Sequence, residues 1–187
     1  MLAKRYRVAV IGSTGKGDYG HSIDTAFRGL ERAEIVAVAD DRAAGLKLAA
    51  QRLMVDATFA DYREMLDRVK PDVVCVGPRW VTDRVAVLQA VAQAGCHVYC
   101  EKPFVADLAS ADAIQSALTT HRVRVAMAHQ WRAMPPVQRA LAEMRLGKYG
   151  RVLRMRARPK DDARGGGEEL LVHGTHWFDL MIAIAGA

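Results

Sequence analysis

Apolar and polar positions change period along this chain of 187 residues. Short apolar runs of five or six residues recur at Tyr6–Ile11, Glu34–Ala39, Asp72–Gly77, Cys96–Cys100 and Arg124–Ala128. Each is short enough to be a strand and too continuous to leave one face wet, which predicts strands buried on both faces. Between them lie stretches with helical spacing: Ser22–Arg32, Ala43–Leu53, Asp61–Val69, Arg84–Gly95 and Leu108–His121, with Asp61 as N-cap of the third. Strands that alternate with helices predict a doubly wound parallel sheet of the Rossmann type, an α/β fold. That domain is placed at residues 1–130. From 131 to 187 the pattern differs. Pro135–Leu146 reads as a helix with proline in its first turn. Arg151–Arg158 alternates basic and apolar residues as a strand with one wet face. Gly165–Gly167 reads as a flexible break, and Leu170–Ala185 as a helix closed by Gly186. This second part is expected to be an incomplete α+β domain.

Composition adds limits. Half of the residues are apolar and a quarter charged, as in a globular protein. No apolar run is long enough to span a bilayer. Lys4, Arg5 and Arg7 precede too short an apolar stretch for a signal peptide, so a cytoplasmic protein is expected. Cys75, Cys96 and Cys100 lie in or beside strands without metal-ligand spacing, so they are expected to be reduced core thiols with no metal site. The net charge of +6 is concentrated late: residues 123–187 carry 11 Lys/Arg against 6 Asp/Glu. A basic region favours an anionic cofactor, substrate or partner. Arg154, Arg156 and Arg158 share one face of the expected strand, either a solvated face or an anion-binding one. No nucleic-acid recognition motif accompanies them, so a nucleic-acid partner is not expected.

The chemistry is concentrated at strand ends. After the first strand comes Gly12-Ser-Thr14-Gly15-Lys16-Gly17-Asp-Tyr-Gly20. It contains G-x-G-x-x-G at Gly15, Gly17 and Gly20, and a second register, Gly12-x-Thr14-x-x-Gly17, that begins at the strand end. Either register offers backbone amides to a pyrophosphate at the start of the helix expected from Ser22. Lys16 adds charge. No Gly-Lys-Ser/Thr occurs, which excludes the phosphate loop of nucleoside triphosphatases. Asp40 closes the second strand, where an acid accepts from the adenosine ribose hydroxyls and repels a 2′-phosphate. This favours NAD, while Arg42 keeps NADP open. Lys102 stands in Glu101-Lys102-Pro103 directly after a strand, at the sheet edge where open α/β folds bind ligands. A lysine there can bind a substrate oxygen or move a proton. Pro78-Arg79-Trp80 either covers the nicotinamide side or is a loop without a ligand role. Trp131 and Arg132 either line a substrate pocket or supply packing and a surface charge. His97 reads as structural.

These residues resemble the Gfo/Idh/MocA family of nicotinamide-dependent oxidoreductases. The resemblance rests on the glycine loop, Glu101-Lys102-Pro103, Arg132-Ala-Met-Pro135 and Gly165–Asp179. It implies a Rossmann domain followed by a domain with a large open sheet that commonly mediates homo-oligomerisation. It also implies hydride transfer between NAD(P) and a sugar, cyclitol or related polyol carbon. By resemblance Lys102 binds substrate and relays its proton, Glu101 and Lys102 border the cofactor, Pro103 carries a cis bond beside the nicotinamide, and His176 is the acid/base. The late family pattern Gly-Gly-x-Leu-x-Asp-x-Gly-x-His-x-x-Asp departs here at Val172, which replaces the first Asp; His173 and Asp179 each lie three residues from His176. Loss of an acid–base group typically costs about 10²–10⁴-fold in rate. The chain is also shorter than family members, as a truncated relative would be. Two rival readings follow: a non-catalytic dinucleotide-binding protein, and a protein using transient oxidation in glycoside cleavage.

Overall fold

A computed structural model describes residues 4–158 and 170–186. The chain divides into two compact units, with the boundary between Ala128 and His129.

The first unit is a six-stranded parallel sheet: β1 (Tyr6–Ile11), β2 (Ala33–Ala39), β3 (Thr58–Phe59), β4 (Val73–Val76), β5 (His97–Cys100) and β6 (Val125–Met127). Their order is β3-β2-β1-β4-β5-β6, the Rossmann order. Four helices accompany them: α1 (Ala43–Leu53), α2 (Tyr62–Val69), α3 (Arg84–Gln93) and α4 (Leu108–Thr120). Val8, Val10, Val38 and Val74 are completely buried because the central strands are covered on both faces. Burial of each such side chain stabilises the fold by about 1.5–3 kcal/mol. Helix starts follow the sequence: the Asp61 carboxylate accepts from the Arg63 N–H at 2.8 Å, and Asp107 caps α4 through the Ser110 N–H, also at 2.8 Å. The two-residue edge strand β3 was not anticipated. It is too short to carry a period, and it exists because β2 extends its ladder outward at Val38 and Ala39.

One expected helix is corrected. Ser22–Arg32 contains only a single 3₁₀ turn, Ile23–Thr25, followed by turns. Its bonds run three residues back, as from the Thr25 N–H to the Ser22 carbonyl at 3.2 Å. Ser22 and Gly29 have positive φ, and the Thr25 hydroxyl donates to the Ser22 carbonyl at 2.8 Å. Such local side-chain bonds compete with helix propagation. A long-range contact also pulls on the segment: Asp24 is 1% exposed and holds the Arg52 guanidinium of α1 at 2.6 Å.

The second unit contains α5 (Gln130–Ala133), α6 (Pro135–Arg145) and α7 (Thr175–Ala185), the last preceded by a π-helical turn at Leu170–Gly174. Pro135 opens α6, and Gly186 closes α7 at a φ of 85°. The expected strand Arg151–Arg158 is not formed. Alternation alone does not make a strand; a ladder partner does, and among the described residues none pairs with this segment. The glycine break at Gly165–Gly167 lies outside the described residues. No helix among the described residues is long and apolar enough to cross a membrane.

Candidate functional site

Within the first unit, β1, β2 and β4 end around a cavity of about 510 Å³. It opens where the strand order reverses between β1 and β4, the crevice where open parallel sheets bind ligands. Gly12, Ser13 and Lys16 line it from the β1 side, Asp40 and Asp41 from β2, and Pro78 and Trp80 from the loop after β4. Its size falls in the range of small-molecule and cofactor sites.

The glycine loop is closed on itself. Ser13 and Asp18 bridge through paired backbone bonds, and the Asp18 carboxylate accepts from the Gly15 N–H at 2.8 Å. Gly15, Gly17 and Gly20 have φ of 82°, 91° and 63°. Gly20 also meets a steric limit: a Cβ there would stand 2.5 Å from a Glu101 carboxylate oxygen and 2.7 Å from the Gly77 carbonyl. The Thr14 N–H and hydroxyl both bond Asp40, the hydroxyl at 2.7 Å. The loop therefore turns several of its amides inward, and no α-helix follows it. The helix expected to start beneath a pyrophosphate is replaced by a 3₁₀ turn and turns, and the Lys16 side chain lines this edge of the cavity.

Asp40 is 1% exposed. Besides Thr14 it accepts from the buried Tyr19 hydroxyl and the Arg42 N–H, at 2.8 and 2.9 Å. Burial pushes this carboxyl up, but the bonds from Thr14, Arg42 and Tyr19 outweigh it and hold it below the usual carboxylate range. Burial, then the hydrogen bond to Asp40 and that carboxylate's charge, push the Tyr19 phenol up. Asp41, by contrast, is half-exposed, with the Ser13 hydroxyl at 3.3 Å and the Lys16 ammonium at 3.9 Å.

Glu101 and Lys102 follow β5 and are both buried, and the Lys102–Pro103 peptide is cis. The Glu101 carboxylate receives the His21 N–H at 3.1 Å and faces the His21 ring at the same distance. This ties the end of the glycine loop to the strand that carries Lys102. Arg84, 2% exposed at the start of α3, donates to the Glu101 and Pro78 carbonyls at 2.6 Å. It clamps the backbone of the Glu101-Lys102 segment to the loop after β4. The three cysteines are free and buried; burial raises the Cys96 and Cys100 thiols to about 11, against the opposing Arg84 charge at Cys100. His97 accepts the Arg124 N–H through its ring at 3.1 Å, as suits a structural side chain.

In the second unit, Trp131, His176 and Trp177 form an aromatic cluster. The Trp131 ring stacks on the buried His176 at 4.7 Å, and His129 meets His176 edge-on at 5.6 Å. Arg132 forms a forked pair with Asp179, at 2.9 and 2.7 Å, and His129 Nδ1 lies 3.4 Å from the same carboxylate. Trp131 and Arg132, named for a substrate pocket, are thus engaged with His176 and Asp179. His173 lies half-buried in the π turn. Among the described residues no cluster of His, Cys, Asp or Glu could hold a metal ion.

Sequence reasoning missed Tyr19, His21, Arg84 and His129. An aromatic residue inside a glycine loop and a histidine directly after Gly20 were readable signals. Arg84 and His129 carried none, because their roles come from partners that tertiary folding supplies.

Residues 6–129 match the family model GFO_IDH_MocA, described as an oxidoreductase family with the NAD-binding Rossmann fold. A D-apiose dehydrogenase of Paraburkholderia graminis is 30% identical over 147 residues, 79% of this chain and 38% of that protein. A D-glucoside 3-dehydrogenase of Escherichia coli is 36% identical over 103 residues, 55% of this chain and 28% of that protein. A scyllo-inositol dehydrogenase of Lactobacillus casei, solved with NAD(H) and scyllo-inositol, has the same fold: TM-score 0.82 at 19% identity, over 98% of this chain and 57% of that one. The chain spans little more than half the length of that structure, and its matches cover less than half of the two curated relatives.

Proposed function

This chain belongs to the Gfo/Idh/MocA oxidoreductase family, and we propose that it binds NAD in the switch-point cavity and oxidises or reduces a carbon of a sugar, cyclitol or related polyol. One observation carries the reading. The cavity at the ends of β1, β2 and β4 and the buried Lys102 after β5 belong to the same carboxyl edge of one parallel sheet.

The residues present fit a dinucleotide. The cavity accepts a group of that class, Gly12 and Pro78 border it, and Lys16 offers positive charge to phosphate. When bound, the nicotinamide supplies the hydride chemistry, and the protein supplies position and proton transfer. Lys102 donates a hydrogen bond to the reacting oxygen and relays its proton. Its backbone is held by the Arg84 clamp at Glu101, and the glycine loop is held to the same strand by the His21–Glu101 contact. We propose His176, its ring fixed by the Trp131 stack, as the acid/base of the reaction. The polyol class follows the three relatives, each of which acts on a sugar, a glycoside or an inositol by its name.

A second reading, a dinucleotide-binding protein without turnover, is favoured by Val172 at the family's aspartate position and by the inward amides of the glycine loop. Fluorescence titration with NADH, followed by absorbance assays of polyol oxidation, separates the two. The enzyme reading expects saturable binding and turnover on at least one polyol. It also expects Lys102→Ala to keep binding while losing about 10²-fold or more in kcat. Binding with no turnover across a broad panel selects the second reading. A folded protein that binds neither NADH nor NADPH refutes both.

A further inference from the structure

The two adjacent acids at the end of β2 have opposite surroundings. A carboxylate has about four lone-pair sites. At Asp40, one oxygen receives the Thr14 N–H and the Arg42 N–H, and the other the Thr14 and Tyr19 hydroxyls. The acceptor capacity of Asp40 is filled from within the protein. Its neighbours are closely fitted as well: a Cβ at Gly45 would stand 1.7 Å from the Thr14 hydroxyl. A ribose could reach Asp40 only by displacing Thr14 or Tyr19, which leaves a buried hydroxyl or amide without a partner, at a cost comparable to the bond gained. Asp41 has none of this enclosure. It lines the cavity half-exposed, and its described polar neighbours are a long contact to the Ser13 hydroxyl and Lys16 at 3.9 Å.

We infer that Asp41, rather than Asp40, is the carboxylate that meets the adenosine ribose and sets the preference for NAD over NADP. Asp40 is the positioning residue that staples the glycine loop to β2 and α1. The assignment rests on the proposed cofactor reading and refines it. A 2′-phosphate placed beside Asp41 would bring like charges together at a half-screened rim. The free ribose diol of NAD instead donates hydrogen bonds to it. Lys16 and Arg63 also line this cavity, so removal of the Asp41 charge leaves cations facing a 2′-phosphate.

The test is a pair of titrations, NADH and NADPH, on the full chain and on its Asp41→Asn and Tyr19→Phe variants, with circular dichroism to establish folding. Asp41 is half-exposed and has no buried partner, so Asp41→Asn is expected to fold as the parent does. The ratio of NADPH to NADH dissociation constants is expected to fall about tenfold or more in Asp41→Asn, from the lost charged hydrogen bond and the lost repulsion. In Tyr19→Phe, which frees one site on Asp40 without altering Asp41, the ratio is expected to stay within about twofold of the parent. An unchanged ratio in Asp41→Asn, with the parent binding normally, overturns the assignment while the cofactor reading stands. Failure of the parent to bind either nucleotide removes both.

Discussion

The two units differ in how fully they enclose their apolar residues. In the first, apolar side chains are drawn into a covered sheet: Met65, Leu88 and Ile114 are completely buried. In the second, large apolar residues remain at the surface, with Leu153 83%, Phe178 53% and Ile182 49% exposed among the described residues. Each parallel strand of the first unit is hydrogen-bonded to at least one neighbouring strand. The alternating segment 151–158 of the second has no ladder partner. The lesson is that a period in the sequence becomes an element only when the backbone bonds and the apolar face are both satisfied elsewhere in the fold.

Three perturbations test this contrast. The largest effect is expected in the first unit's core. Met65→Ala should lower unfolding free energy by about 2–5 kcal/mol in urea denaturation, because the site cannot collapse around the lost volume. The matched change in the second unit, Leu153→Ala, should stay within about 0.5 kcal/mol. Comparable losses at both positions would mean that the exposed segment is packed in solution.

An intermediate effect is expected at Asp40. A carboxyl held below its ordinary range stabilises the fold at pH values above its unfolded pKa, and that contribution is lost as pH falls through the lower folded value. Asp40→Asn should cost about 1–3 kcal/mol at neutral pH. It should also flatten the fall in thermal midpoint below about pH 4. An unaltered acid limb in that variant would remove Asp40 from the group that staples the loop.

The smallest effect belongs to the second unit's ion pair. Arg132 is partly exposed, so solvent screens it. Asp179→Asn should therefore cost about 1 kcal/mol and show mainly as faster amide exchange in α7. Unchanged exchange would mean that aromatic packing around His176 holds that helix by itself.

Much of the first unit was legible in order. β1, β2, β4, β5 and β6 and helices α1 to α4 fall where apolar runs and caps place them, because each is written within a dozen residues. The glycine loop and Glu101-Lys102-Pro103 were legible for the same reason. The helix expected from Ser22 was not, since Arg52 and the Thr25 hydroxyl decide that segment against its period. The state of the candidate site was least legible. Which of the two acids, Asp40 or Asp41, has its acceptors filled depends on Thr14 and Tyr19, more than twenty residues before Asp40 in the chain.

The amino-acid order by itself determined the alternation of buried strands and helices, the glycine turn and the lysine at a strand end, because hydrophobic period and turn chemistry act between near neighbours. The tertiary structure alone decided which acid is enclosed, which arginine is buried against carbonyls, and that His129 and Arg132 share Asp179. Those outcomes depend on polar groups brought together from distant positions, where each buried donor or acceptor must find a partner as the chain closes.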